Sequence, residues 1–331
     1  MSATPQRILL SGGGTGGHIF PAIALAEAFH ERLPEADIRF VGAKGGMEER
    51  LVPQAGYPLE TLWIGGLYRQ LSLRNIGRNL LFPFKLLSAA LTSRRLLARF
   101  RPEIVAGTGG FASYPIVNAA AGGPAITAIA EQNAFPGLAN RQLAPKVDLV
   151  FLGNPDAERH FRAKQMIFTG NPVRRDIGQP THEAGCTSFG LSPDRPVLLV
   201  LGGSLGAQAI NENLAAGLRE LVDSGFQVLW QCGRLYADSL QEQLAPLPEG
   251  VRVLPFIREM AEAYAAADLV VARAGALTIS ELIIAGTPAI LRSCCPPSAN
   301  SWATRPNAAT WPATWLPSNT RTPPNSWSIT S

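Results

Sequence analysis

Ser11-Gly12-Gly13-Gly14-Thr15-Gly16-Gly17-His18 is the stretch on which the fold of this chain turns. It follows the apolar run Ile8-Leu9-Leu10, which reads as a buried strand. It leads into residues 19–33, where Ile23, Ala26, Phe29 and Leu33 recur at helical spacing and Pro21 is allowed in the first turn. Glycines let a backbone approach phosphate closely, and a helix N-terminus offers unpaired N–H groups at the positive end of its dipole. Gly12, Gly14 and Gly17 also satisfy the GxGxxG spacing of dinucleotide-binding folds. Such a fold needs an acidic residue where its second strand ends, and here that strand ends Val41-Gly42-Ala43-Lys44. This argues against a dehydrogenase. No GK[ST] triplet occurs, so a P-loop is excluded.

Outward from this unit the same pattern repeats. Ile38-Arg39-Phe40-Val41, Ile104-Val105-Ala106, residues 126–129 and Leu149-Val150-Phe151 read as further buried strands separated by helix-period segments. Residues 180–196 are rich in Gly, Ser, Thr and Pro and read as a linker. The alternation then restarts at 197–201, Val228-Leu229-Trp230, 251–254, Leu269-Val270-Val271 and Ala289-Ile290-Leu291. Strand–helix alternation predicts parallel sheets covered on both faces, and two such series predict two open α/β domains with a cleft between them. The expected division is a domain over 1–174, a linker over 175–196 and a second domain over 197–291. Two more glycine loops fall at strand C-termini, Gly107-Thr108-Gly109-Gly110 and Gly202-Gly203-Ser204-Leu205-Gly206. One such loop is an ordinary tight turn; three at strand ends point to a ligand cleft.

Composition bounds the partners. Hydrophobic residues make up 46% and charged residues 16% of the 331, which suits sizeable cores. A net charge of +4 suits phosphate-bearing ligands or an anionic membrane and is too weak to indicate nucleic acid. Cys186, Cys232, Cys294 and Cys295 fit neither a zinc site nor a disulfide framework, so a reducing cytoplasm is expected. Glycines interrupt the N-terminal apolar run, so no secretory signal is expected, and no run of apolar residues is long enough to span a bilayer.

Residues 61–102 contain no acidic residue but carry Arg69, Arg74, Arg78, Lys85, Arg94, Arg95, Arg99 and Arg101. Among them lies Leu80-Leu81-Phe82-Pro83-Phe84-Lys85-Leu86-Leu87. Apolar side chains beside a basic rim suit attachment to an anionic leaflet through Leu80, Leu81, Phe82, Phe84 and Lys85. The alternative is a core helix with solvated basic flanks.

Six motifs give the chain a family resemblance: residues 12–18, GTGGFASYP at 107–115, Glu131-Gln132-Asn133, Gly170-Asn171-Pro172-Val173-Arg174, GGSLGA at 202–207 and GALTISE at 275–281. In order and spacing the chain resembles the bacterial MurG glycosyltransferases from residue 7 to about 291. That resemblance implies a GT-B fold of two Rossmann-like domains. It implies inverting transfer of N-acetylglucosamine from UDP-N-acetylglucosamine to the 4-hydroxyl of lipid I, giving lipid II for peptidoglycan. The enzyme would be peripheral, on the cytoplasmic side of the bacterial inner membrane, without cofactor or metal. No Asp-x-Asp motif is present, and helix N-termini can take the charge of the leaving UDP.

By matching motifs, Ile257 would pair with uracil through its backbone and Glu281 would hold the ribose hydroxyls. Ser204 and the run Ala276-Leu277-Thr278-Ile279-Ser280 would meet the diphosphate. Arg174 and Asn133 would act near sugar and phosphates, and Thr15, Gly16 and Gly17 would close the cleft from the other side. His18 would be the acceptor-side base or contact. Read without the family, Arg174 could join domains, Asn133 could cap a helix, Glu281 could sit on a solvated helix face and His18 could be structural. Another GT-B enzyme with a different sugar or acceptor, or an inactive product that only binds UDP or membrane, stands as the alternative.

The resemblance stops after Leu291. Residues 292–331 contain no Asp, Glu, Lys or Gly, but seven Pro and four of the chain's six Trp, with no helical or strand periodicity. A disordered tail is expected there, and the family's glutamine pair for the donor sugar is missing. Asn300-Ser301-Trp302-Ala303-Thr304-Arg305 can be encoded so that another frame reads Gln-Leu-Gly-Asn-Ala, like the family's segment. A frameshift is therefore the expected origin, the second domain is expected to be incomplete, and the chain as given is expected to turn over little or not at all.

Overall fold

The computed structural model describes residues 6–66, 80–203 and 206–292. Its strands are β1 (Arg7–Ser11), β2 (Asp37–Ala43), β3 (Leu59–Leu62), β4 (Ile104–Gly107), β5 (Ile126–Glu131), β6 (Leu149–Leu152), β7 (Met166–Phe168), β8 (Val197–Leu201), β9 (Gln227–Gln231), β10 (Val251–Leu254), β11 (Leu269–Arg273) and β12 (Ala289–Arg292). The helices that position the site are α1 (Gly16–Arg32), α2 (Glu48–Gln54), α3 (Phe82–Phe100), α4 (Ser113–Ala120), α5 (Leu138–Leu143), α6 (His182–Ser188), α7 (Gln208–Asp223), α8 (Ala237–Gln243), α9 (Met260–Ala266) and α10 (Ala276–Ala285).

Among the described residues the strands form two parallel sheets, ordered β3-β2-β1-β4-β5-β6-β7 and β10-β9-β8-β11-β12. Apolar side chains line both faces of each. Leu9, Val105, Ile129 and Val150 pack under α3 and α4, while Ile8, Leu10 and Phe40 pack under α1. In the second sheet Leu199, Leu229 and Val270 face one side, and Val200, Val228 and Trp230 the other. Burial on both faces is what the unbroken apolar runs require.

The order of each sheet places the ligand crevice. In the first, the chain runs outward from β1 to β3, then returns to β4 on the other side of β1. In the second it runs from β8 to β10 and returns to β11 beside β8. Such reversals open a crevice at the strands' C-terminal ends. The glycine loops after β1 and β4, the loop after β8 and the start of α10 after β11 all lie at these two points.

Several local expectations change. β3 and β7 are short strands at the edges of the first sheet that the apolar pattern did not predict. Helix α1 begins at Gly16, not Ile19, so Pro21 sits beyond its first turn, where it withholds one N–H from the ladder beside the glycine loop. The segment expected as linker holds α6, capped by Thr181, whose hydroxyl oxygen accepts from the Ala184 N–H at 3.2 Å. Ile177, Cys186 and Leu191 are buried in the second core, and Gly185 brings the α6 backbone against α9.

Candidate functional site

At the first crevice the two glycine loops lock together. Gly13 N–H donates to Gly109 O at 3.4 Å and Thr108 N–H to Ser11 O at 2.8 Å. A Cβ on Gly110 would overlap the Gly13 carbonyl. The second loop, expected as another phosphate cradle, is therefore spent largely on holding the first. The first loop leaves Thr15 and Gly17 exposed and Gly16 buried, at the start of α1. The N–H groups of Gly16 and Gly17 stand in the helix's first turn, where no intrahelical acceptor reaches them.

His18 is half-buried beside them. Its Nδ1 lies 3.0 Å from Thr108 O. A carbonyl only accepts, so in the neutral ring Nδ1 carries the proton and Nε2 keeps its lone pair. The buried Thr108 hydroxyl also donates to His18 O at 2.6 Å. Gly109, at φ +104°, must lack a side chain because a Cβ would come within 2.7 Å of His18 Nδ1. A structural contact and a free basic nitrogen thus coexist in one residue.

Asn133 caps no helix. Its backbone N–H and its Nδ2 both donate to Glu131 Oε1 at 3.0 Å, while Glu131 Oε2 accepts from Gly137 N–H at 3.1 Å and Asn140 Nδ2 at 2.9 Å. One buried carboxylate so organises the whole 131–140 loop. Arg174 does join the two halves, through a carbonyl and a ring. Its Nη1 donates to Arg258 O at 2.8 Å, and its guanidinium lies 4.8 Å from the centre of the Phe20 ring, which stacks on Phe256 at 6.4 Å. Asn171 is the second tie: its Nδ2 reaches Gln132 O at 3.3 Å and Ser280 Oγ at 3.1 Å.

At the second crevice, α10 starts at Ala276 after Gly275, with no side-chain cap. The N–H groups of Ala276, Leu277 and Thr278 are therefore presented at the positive end of a ten-residue helix, whereas Ile279 N–H is taken by Gly275 O. Glu281 faces inward, half-buried, and its Oε2 accepts from Tyr264 Oη at 3.0 Å. Burial raises the Glu281 carboxyl above the usual carboxylate range, against the pull of the Tyr264 hydrogen bond and the Arg174 charge. Burial likewise pushes the Tyr264 phenol up, with the Glu281 charge adding to it. Ile257 is buried, and its N–H donates to Gln231 Oε1 at 2.9 Å. Ser204 lies outside the described residues. Tyr264 carries no signal of its own in sequence, and Thr108 and Glu131, although they lie in motifs, are marked there by no sign of the partners they hold.

On the far flank of the first sheet, α3 and the residues before it leave Leu80, Leu81, Phe84, Leu87 and Leu91 exposed, Leu80 by 74% and Phe84 by 66%. Phe82 is half-buried. Lys85 Nζ stands 5.7 Å from the ring centre of the half-exposed Trp63. Arg94, Arg95, Arg99 and Arg101 follow along the helix; Arg69, Arg74 and Arg78 lie outside the described residues. Among the described residues no helix is long and apolar enough to cross a membrane.

Comparison with known proteins agrees with this geometry. Residues 8–152 match the glycosyltransferase family 28 N-terminal domain, and residues 197–299 match its C-terminal domain, a match that runs past Leu291. The chain is 46% identical over 289 residues to the UDP-N-acetylglucosamine–N-acetylmuramyl-(pentapeptide) pyrophosphoryl-undecaprenol N-acetylglucosamine transferase of Cytophaga hutchinsonii, covering 87% of this chain and 76% of the relative. It is 42% identical over 294 residues to the protein of the same name from Salinibacter ruber, covering 88% and 78%. The crystal structure of Acinetobacter baumannii MurG superposes with a TM-score of 0.61 at 31% identity, over 87% of this chain and 78% of that one. A Neisseria meningitidis UDP-GlcNAc 2-epimerase, at 13% identity and a TM-score of 0.58, shares the fold alone. With both domains matched in order around two glycine-lined crevices, the chain belongs to glycosyltransferase family 28, among the MurG enzymes.

Proposed function

We propose that this chain is an inverting N-acetylglucosaminyltransferase that moves N-acetylglucosamine from UDP-N-acetylglucosamine to the 4-hydroxyl of lipid I. The observation that carries the reading is the pairing of two crevices: uncapped helix N-termini at each, with a free imidazole nitrogen at one and an inward carboxylate at the other. The donor lies along the second sheet. The Ile257 carbonyl accepts from uracil, Glu281 accepts from the ribose hydroxyls, and the diphosphate meets the N–H groups of Ala276, Leu277 and Thr278, with Ser204 from the preceding loop. Ile279 and Ser280 complete that turn, and Arg174 and Asn133 flank the sugar. The acceptor lies at Thr15, Gly16 and Gly17.

In one displacement the acceptor oxygen bonds to the anomeric carbon and its proton passes to His18 Nε2. The carbon–oxygen bond to the diphosphate breaks, and its electron pair leaves with UDP. The start of α10 stabilises that developing charge without reorganising. Residues 1–174 then act as the acceptor domain and residues 197–291 as the donor domain, with α6 of the connecting segment built into the latter.

Glu281→Ala should weaken UDP binding by about 1–3 kcal/mol, roughly 5- to 150-fold, as a lost charge-assisted hydrogen-bond acceptor does. Tyr264→Phe keeps the carboxylate and loosens it, for a loss of about 1 kcal/mol. The pH dependence follows from the raised carboxyl: ribose hydroxyls need the ionised form, so affinity should begin to fall, on acidification, at a higher pH than an exposed glutamate would give. Calorimetry showing unchanged UDP affinity in Glu281→Ala would remove the donor from this crevice.

The exposed apolar ridge and its basic flank fit the cytoplasmic face of an inner membrane, where a peripheral enzyme meets its lipid-linked acceptor. The protein should float with anionic vesicles, less so in high salt, and Leu81, Phe82 and Phe84 all changed to Ser should abolish flotation. Equal flotation with neutral vesicles would show that the basic rim is no attachment device.

A further inference from the structure

Glu48 opens α2 and is fully buried. Its Oε1 accepts from Ala43 N–H at 3.1 Å and from Gly14 N–H at 3.3 Å, while Oε2 is enclosed with no partner among the described residues. Three glycines from separate segments make room for it. A Cβ on Gly13 would overlap Oε1, one on Gly46 would overlap Oε2, and one on Gly42 would overlap Cγ. No described ion pair involves it. The carboxylate satisfies two N–H groups that an apolar residue of the same size would leave unmatched, but burying it with one oxygen unmatched carries a cost of its own.

What it supplies is direction. The end of β2 and the loop after β1 are tied to one carboxylate oxygen, and Gly14, at φ +86°, has its N–H drawn to the underside of the loop. The N–H groups of Gly16 and Gly17 follow in the first turn of α1, where Thr15 and Gly17 are exposed. We propose that Glu48 is a positioning residue, tethering the Gly12–Gly17 loop from beneath so that its outward N–H groups are preset for the phosphates of the acceptor. This rests on the reading of that loop as the acceptor's. It explains why Gly42 and Gly46, which belong to none of the three glycine loops, must lack side chains.

The test uses the full chain labelled with ¹⁵N-glycine, and three forms: wild type, Glu48→Gln and Glu48→Ala. Gln keeps an oxygen for Gly14 and Ala43. It should leave the Gly14, Gly16 and Gly17 amide signals close to wild type and the Kd for a soluble lipid I analogue within about threefold. Ala should shift those three signals and weaken the analogue by about tenfold or more, with UDP affinity unchanged, because UDP binds the other sheet. The assignment is overturned if Ala leaves the signals and the analogue Kd unmoved, if it weakens UDP and analogue equally, or if Gln is as damaging as Ala. Failure of the underlying reading looks different: saturating wild type with the analogue would leave the Gly16 and Gly17 signals in place. Glu48 is then still judged by the signals of the three forms.

Discussion

In a form whose residues 292–331 are exchanged for the corresponding segment of the Cytophaga hutchinsonii relative, His18→Ala is expected to lower N-acetylglucosamine transfer by about 10²–10⁴-fold, the usual worth of a positioned general base, with UDP affinity unchanged. The size follows from geometry. Thr108 O fixes the ring through Nδ1 and the Thr108 hydroxyl holds the His18 carbonyl, so Nε2 is presented in one orientation at the start of α1. A base already oriented and in the right tautomer loses little entropy on reaching the acceptor hydroxyl. The control is internal: the donor contacts lie on the second sheet, so calorimetry with UDP should not distinguish His18→Ala from its parent. A variant retaining more than about half the parental rate would place the base elsewhere and leave His18 a structural residue.

The parts of this fold that were legible in sequence were those written in consecutive residues. Runs such as Ile8-Leu9-Leu10 and residues 197–201 are apolar throughout because both faces of a parallel strand are buried, and they announced β1 and β8. β3 and β7 did not announce themselves. Leu59-Glu60-Thr61-Leu62 and Met166-Ile167-Phe168 lie at sheet edges, are short, and are only partly covered, with Phe168 61% exposed. Composition misled at the connection between the domains. Gly, Ser, Thr and Pro signalled a linker over 180–196, yet Thr181 caps a helix there and Cys186 is buried in the second core.

The site divided along the same line. Glycine loops at strand ends are visible because close packing forbids side chains. What each loop does is not visible, and Gly107-Thr108-Gly109-Gly110 braces its neighbour instead of offering another cradle. Tyr264 meets Glu281 across 17 positions, Thr108 meets His18 across 90 and Glu48 meets Gly14 across 34. Such pairings are made by tertiary folding, and no local pattern encodes them. The expectations for residues 292–331 fall, apart from Arg292, outside the described residues.

The account is tested most directly by N-acetylglucosamine transfer to a lipid I analogue. The assay compares the chain as it stands with a form in which residues 292–331 are exchanged for the corresponding segment of the Cytophaga hutchinsonii relative, at matched protein concentration. The exchanged form is predicted to transfer faster by about 10²-fold or more and to give the inverted, β-linked product. Two features carry this prediction. At the end of the second sheet Ile283, Ile284 and Leu291 are exposed, an apolar flank that a segment of seven prolines and no periodicity is poorly suited to cover. The donor sugar also lacks the expected glutamine contacts, and positioning lost at the reacting sugar raises the barrier by several kcal/mol. Comparable rates in the two forms would show that residues 292–331 are a working part of this enzyme. No transfer by the exchanged form while it still binds UDP, or a product of retained configuration, would contradict the assignment of inverting N-acetylglucosaminyl transfer to this cleft.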